Sequence, residues 1–318
     1  MQFSTVVPVH EGHPKINYNS HVLSLGSCFA VNMGEKFNYF KFSASINPFG
    51  ILFHPVALEK VIRFALNDVS FTEQDIFFHA DRWNHFDAHS DLSATTSSVL
   101  LGNLNQASGD LKSALINATH ITITLGTSWV YRLVATGALV ANCHKVPQKQ
   151  FSKELLSVDE IKQSLQNITA MINSVNKDAV VIFTVSPVRH IKDGFTENQW
   201  SKANLISGLH QTINHKPQSI NSCYFPSYEI MMDELRDYRF YAPDMIHPNQ
   251  VAIDYIWERF AQSWISEEAL QTMKQVDNIQ KSLLHRPFNP DTDSHKKFTQ
   301  NLDSKVKALQ KLHPRIKF

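Results

Sequence analysis

His21-Val-Leu-Ser-Leu-Gly-Ser-Cys-Phe-Ala30 is a short apolar run that stops at a glycine and passes at once into a helical pattern. Residues 21–25 read as a buried strand, and Gly26 permits the sharp turn after it. Over 28–40 the apolar Phe29, Met33, Phe37 and Phe40 fall three or four apart, which predicts a helix. A strand, a glycine turn and a helix are the opening of a βα unit, and the same grammar continues downstream. An extended run over 41–46 ends in the turn Asn47-Pro-Phe-Gly50, and 55–66 is helical again. A helix over 99–118 leads into a strand over 121–125 that stops at Gly126, followed by a hairpin over 129–140 turning at Gly137. Ser157-Val-Asp-Glu160 is a capping box opening a helix to residue 176. A near-continuous apolar strand over 179–185, a helix over 199–215, a short strand over 222–225 and a helix over 251–265, with Pro248 at its first turn, complete the series. This alternation predicts an α/β protein: a three-layer α/β/α sandwich around a mostly parallel sheet.

Two segments break the rhythm. Residues 71–97 are rich in aromatics and histidine without clean period and read as an irregular insertion. Residues 286–318 carry eight Lys and Arg against three Asp, with Phe298, Leu302, Val306, Leu309 and Leu312 as an apolar stripe. They read as a basic amphipathic helical extension to a main domain over 1–285, docked on that domain.

The 318 residues are 43% hydrophobic and 19% charged, the balance of a folded globular protein. Thirty basic and 29 acidic side chains leave a net charge of +1, so no nucleic-acid partner is expected. No apolar run reaches the length that spans a bilayer. Residues 1–20 lack the charged start and apolar stretch of an export signal, which predicts a cytoplasmic location. Cys28, Cys143 and Cys223 are too few and too far apart for a disulfide framework or a zinc site.

In open α/β sheets ligands gather beyond the carboxyl ends of the strands, and several reactive residues fall there. Ser27 precedes a helix, so the positive end of that helix faces whatever its hydroxyl attacks. In Asp244-Met-Ile-His247 an Asp three residues before a His fits a carboxylate that fixes the imidazole tautomer and leaves the other ring nitrogen as a base; a helix cap beside a surface histidine is the plainer alternative. Backbone N–H groups at Gly50 and over Gly126-Thr127-Ser128-Trp129 suit a developing oxyanion. Cys28, also at the helix start, is a second candidate nucleophile that the helix dipole would acidify. Arg189 and His190 follow a strand and either contact substrate or bond to Glu229 or Asp233.

Taken together these blocks resemble the GSCFA family, whose name is spelled at residues 26–30, within the broader SGNH (GDSL-like) hydrolases. Asn47-Pro-Phe-Gly-Ile-Leu-Phe-His-Pro55, Leu125-Gly-Thr-Ser-Trp-Val-Tyr131, Thr184-Val-Ser-Pro-Val-Arg-His190 and the stretch from Tyr224 to Pro248 agree with it, over roughly residues 20–265. The resemblance implies an SGNH-hydrolase-like, flavodoxin-like fold with Ser27 as nucleophile, His247 as general base and Asp244 as its partner. It implies oxyanion donors at Ser27 and Gly50. The Asn of the third SGNH block is replaced here, leaving Ser128, or Thr127, as substitute. The expected chemistry is hydrolysis of an O-acyl ester, an acetyl group on a carbohydrate among the options, without a cofactor. The alternatives are an O-acyltransferase using the same triad and a catalytically idle glycan- or protein-binding module. A scaffold acting through the basic C-terminal helix is a further alternative. Trp129, Thr127, Arg189 and His190 are expected near substrate, and Trp83 in a loop over the cleft. His79, His85, Asp87 and His89 match no metal spacing, so no metal is expected.

Overall fold

A computed structural model describes residues 5–214, 221–286, 288–289 and 292–318. The first βα unit is β1 (His21–Gly26) and α1 (Cys28–Tyr39), followed by β2 (Ser43–Ile46) and α2 (Pro55–Leu66). The insertion over 71–97 contains a small hairpin, β3 (Phe77–His79) and β4 (Arg82–Asn84), and is otherwise irregular. Then come α3 (Ser97–Asn117), β5 (His120–Leu125), β6 (Trp129–Leu133), β7 (Leu139–Val140), β8 (Phe151–Leu155), α4 (Val158–Val175) and β9 (Val180–Val185). The expected hairpin is β6–β7, and β8 pairs on its other side to make a three-stranded antiparallel sheet.

The helix expected over 199–215 starts four residues earlier, as α5 (Phe195–Asn214); residue 215 lies outside the described residues, as do residues 1–4 of the leader reading. β10 (Ser222–Tyr224) and the single turn α6 (Ser227–Glu229) follow, the latter running on as a π-helical turn over Ile230–Glu234. α7 (Gln250–Trp264), α8 (Glu267–Leu284) and α9 (Asp293–Leu312) end the chain. Pro248 is not in the first turn of α7: Asn249 is its N-cap, with its side chain accepting from the Ala252 N–H at 3.1 Å. Asp244 therefore caps no helix.

The central sheet runs β10-β9-β5-β1-β2 with every pairing parallel. That is the flavodoxin-like strand order. β5 and β9 are buried along their whole length, which is why they read as continuous apolar or Thr/Ile runs. One face is covered by α2, α3, α4 and α5, through Leu58, Leu104, Leu165 and Leu205. The other is covered by α1, α7, α8 and α9, through Phe37, Trp257, Val276 and Leu309. The three-layer architecture follows. The basic C-terminal helix is docked, with Leu302, Leu309 and Ile316 in the same core as Ile16 and Trp257. No helix among the described residues is long and apolar enough to cross a membrane.

α1 leaves β1 toward one face, and the chain between β2 and β5 packs on the other. The crevice between the carboxyl ends of β1 and β5 is thus the point where the winding reverses, the usual place for a ligand in such sheets.

Candidate active site

Gly26 ends β1 at φ +126°, and a Cβ there would overlap the Thr124 carbonyl of the neighbouring strand. Asn47 brackets it: Oδ1 accepts the Gly26 N–H at 2.8 Å and Nδ2 donates to the Gly26 carbonyl at 3.1 Å. The Leu52 N–H reaches the same carbonyl at 3.0 Å. The Asn47-Pro-Phe-Gly turn therefore pins the residue before Ser27. Ser27 is the N-cap of α1, yet its side chain accepts no capping bond. Its Oγ is buried and has no hydrogen-bond partner. A Cβ added to Gly126 would sit 3.2 Å from the Ser27 Cβ, so that glycine leaves the space beside the hydroxyl open.

Asp244 and His247 form a closed turn. Asp244 Oδ1 accepts the N–H groups of Ile246 and His247 at 2.9 and 3.0 Å, and its Oδ2 lies 2.6 Å from His247 Nδ1. The backbone N–H of His247, its imidazole and the Ile246 N–H hold the Asp244 carboxyl down at about 2. With Nδ1–H directed at the carboxylate, Nε2 is the nitrogen left to take a proton. Both side chains are 46% exposed. No hydrogen bond joins Ser27 Oγ to this imidazole in the conformation described.

The expected oxyanion donors are all engaged. The Ser27 N–H extends the parallel ladder to the Thr124 carbonyl at 3.0 Å, and the Gly50 N–H closes its turn on the Asn47 carbonyl at 2.7 Å. Ser128 turns away to α5: its N–H donates to Ser201 Oγ at 2.8 Å and its Oγ to the Ser201 carbonyl at 3.0 Å. Thr127 Oγ1 is likewise 2.9 Å from Ser201 Oγ. These side chains fasten the end of β5 to α5, because Ser201 faces them with both a hydroxyl and a carbonyl. In the first turn of α1 the Ala30 N–H donates to the Ser27 carbonyl at 2.8 Å, which leaves those of Cys28 and Phe29 without an intrahelical acceptor.

The residue missed in the sequence is Lys202. It is 1% exposed, and its Nζ donates at 2.7 Å to the carbonyls of both Gly126 and Ser186, at the ends of β5 and β9. Burial pulls its ammonium down to about 7, with nearby Cys28 acting the other way. A lysine on an amphipathic helix normally reads as surface, and only its position one turn from Asn198 and next to Ser201, both buried, hinted otherwise. Cys28 is not acidified as its place at the helix start suggested: burial raises its thiol above the ordinary value, outweighing Lys202, so it stays protonated at neutral pH.

His190 stands beside this lysine, its Nε2 buried and without a partner, its ring edge-on to Phe53 at 5.7 Å. Burial, then Lys202 and His247, push it down to about 3, which keeps it neutral and a poor base. Neither it nor Arg189 bonds to Glu229 or Asp233; Glu229 holds the Tyr224 hydroxyl and Asp233 pairs with Arg236. Next to Phe53, a cavity of about 460 Å³ is lined by Thr127, Trp129, Tyr131, Val140 and Phe151. Trp83 does not line it; it packs on Phe78 in the β3–β4 hairpin, which Ala94 bridges. His79 bonds to the Lys145 carbonyl and His89 to Asp91, while Asp87 pairs with Lys60 and gives its backbone N–H to His85 Nδ1 at 3.0 Å. Among the described residues no group of three or more His, Cys, Asp or Glu is placed to hold a metal ion.

The family model described as "GSCFA family" matches residues 21–260, which contain every residue of this site. The chain belongs to the GSCFA family. A second model, the GSCFA domain protein's C-terminal domain, matches residues 276–318, the end of α8 and all of α9. No curated protein matches the sequence. Among solved structures this GSCFA chain is similar to a DUF4886 family protein from Bacteroides uniformis. Identity is 15% and the TM-score 0.41, covering 93% of this chain and 96% of that one.

Proposed function

We propose that this GSCFA chain is a serine acyl hydrolase of the SGNH kind, acting on an O-acyl ester, with acetyl esters of carbohydrates as the narrower case. The observation that carries the reading is the Ser27 hydroxyl: buried, without a hydrogen-bond partner, at the start of a helix and at the sheet's switch point. A buried polar atom left unpaired is unfavourable by about 1–3 kcal/mol and calls for a functional account. The Asp244–His247 couple supplies the base that account needs.

In this mechanism Ser27 Oγ attacks the ester carbonyl carbon while its proton passes to His247 Nε2. The tetrahedral anion is stabilised by the N-terminal turn of α1, and by the Ser27 and Gly50 N–H groups if they exchange their present acceptors for it. Collapse breaks the bond to the alcohol oxygen, which takes the proton from Nε2. Water, deprotonated by the same nitrogen, then releases the acid and restores Ser27. Asp244 stays ionised throughout and orients the ring. The cavity lined by Trp129 and Phe151 is the proposed acyl or sugar pocket. A hydroxyl acceptor in place of water makes the same site a transferase, distinguished by measuring free acid against acyl transfer to an added sugar.

A second reading, a ligand-binding module without turnover, is favoured by one observation: Ser27 and His247 share no hydrogen bond, and the oxyanion donors are engaged. Catalytic hydrogen bonds often tighten only with substrate in place, so the open Ser27–His247 gap leaves the first reading standing. Fluorophosphonate labelling with peptide mapping decides between them. A single adduct on Ser27, lost in His247→Ala with the fold intact, is the expected result. A folded protein that takes no adduct sinks the hydrolase and leaves the binding module.

A further inference from the structure

We infer that the crevice recognises an anionic group on its substrate, a carboxylate or phosphate, through the guanidinium of Arg189. The inference rests on the hydrolase reading for the word substrate, but the anion site stands on its own observations. Arg189 is held before any ligand arrives. Its backbone N–H donates to the Ile246 carbonyl at 3.1 Å and its Nη1 to the Met245 carbonyl at 2.9 Å, both within the Asp244–His247 turn. Three rings surround its Cζ: Phe195 at 5.3 Å, Tyr241 at 5.4 Å and Tyr238 at 5.8 Å. A guanidinium fixed in this way loses little freedom on binding and presents a planar fork suited to two oxygens of one anion.

That fork has no acidic partner. Among the described residues no ion pair involves Arg189, and three carboxylates on neighbouring elements are occupied. Asp244 holds His247 and two amides, Glu229 holds Tyr224, and Asp233 holds Arg236. One of five N–H donors goes to Met245, which leaves the rest for a ligand. Further in, at the same end of the sheet, Lys202 bonds only to carbonyls, and among the described residues no carboxylate is set against it. Phe195 and Tyr238 are 66% and 64% exposed, forming an aromatic rim around the cation that an organic anion can cover.

The test uses the full chain and calorimetric titration with inorganic phosphate and with benzoate, and benzyl alcohol as the neutral counterpart of benzoate. The anions are expected to bind, more weakly as salt is added, while benzyl alcohol binds less well. Arg189→Gln is expected to weaken anion binding by about tenfold or more, the size of a charge-assisted bond, in a protein that still melts cooperatively a few degrees lower at most. Arg189→Lys, which keeps charge but not the fork, serves if the glutamine variant does not fold, and is expected to weaken benzoate several-fold. Equal binding by wild type and variant, or preference for benzyl alcohol, overturns the inference. Because binding needs no turnover, the two readings fail separately. Labelled Ser27 without anion binding leaves the hydrolase and removes the anion site, and the converse result does the opposite. With an active enzyme, 4-acetoxybenzoate is expected to lose more kcat/KM than phenyl acetate in Arg189→Gln, through KM; equal losses count against the inference.

Discussion

At the scale of single residues, the serines of this site divide by what their hydroxyls do. Ser27 stands at a helix N-cap, where replacing a capping serine by alanine usually costs about 1 kcal/mol. Its Oγ makes no such bond, so Ser27→Ala is expected to leave stability within about 0.5 kcal/mol of wild type, or raise it, while removing the adduct. Ser128→Ala, deprived of its bond to Ser201, is expected to cost about 1–2 kcal/mol. Urea denaturation of the two variants measures the contrast, and equal losses would remove the distinction. Sequence made Ser27, Asp244 and His247 legible because an Asp–x–x–His turn and a Gly-Ser before a helix are local devices. Lys202 and the true role of Asn47 were hidden. Their partners lie on other strands, and nothing in the residues beside them tells a buried lysine from a solvated one.

At the scale of elements, α2 is started by a histidine. His54 is fully enclosed; its Nδ1 accepts the Ala57 N–H at 3.1 Å and its Nε2 faces the Val140 carbonyl at 3.2 Å, with Pro55 as the first helical residue. This pattern requires the neutral, Nε2–H ring, and burial lowers the imidazole to about 4 from an ordinary 6.5. In the unfolded chain the ring protonates near 6.5, so between 6.5 and 4 the unfolded state binds the extra proton. The stabilisation is complete above 6.5 and is lost as pH falls toward 4, by up to a few kcal/mol. His54→Asn, which keeps a capping side chain without titrating, is expected to show a shallower loss of stability over that window than wild type. Parallel acid limbs in the two proteins would contradict it.

Elements were legible in proportion to their burial. β1, β5 and β9, covered on both faces, stood out as apolar runs, whereas β8 (Phe-Ser-Lys-Glu-Leu) did not. Only Phe151 is buried there, and its ladder to β6 is a long-range pairing that no local pattern announces. α8 was overlooked for a different reason. Only Ile265 and Ser266 separate it from α7, and its start depends on Ser266 accepting the Ala269 N–H at 3.2 Å.

At the scale of the whole molecule, the two faces of the sheet are closed by different parts of the chain. The face under α2 to α5 is built from residues between 23 and 209, while the other gathers Ile16 and Tyr18, α1, α7 and the last two helices. Leu309 is 2% exposed within that second core and Leu312 is 72% exposed one turn on. Leu309→Ala is therefore expected to cost about 2–4 kcal/mol and Leu312→Ala less than about 0.5, read as shifts in melting temperature. Similar small effects for both would mean that α9 is not seated. The basic stripe of this segment was visible in the sequence, but its docking partner was not, because Ile16 and Trp257 become neighbours only once the sheet has formed.

Tyr18 stacks on Phe42 at 4.4 Å and meets His313 at 5.0 Å, so residues from early in the chain wait for residues made near its end. The core that holds Phe37, Trp257 and Phe260 also takes in Leu302, Leu309 and Ile316, so it is complete only with the last residues of the chain in place. A chain cut short within α8 would lack those side chains and leave apolar surface of this core open to water, a liability for self-association.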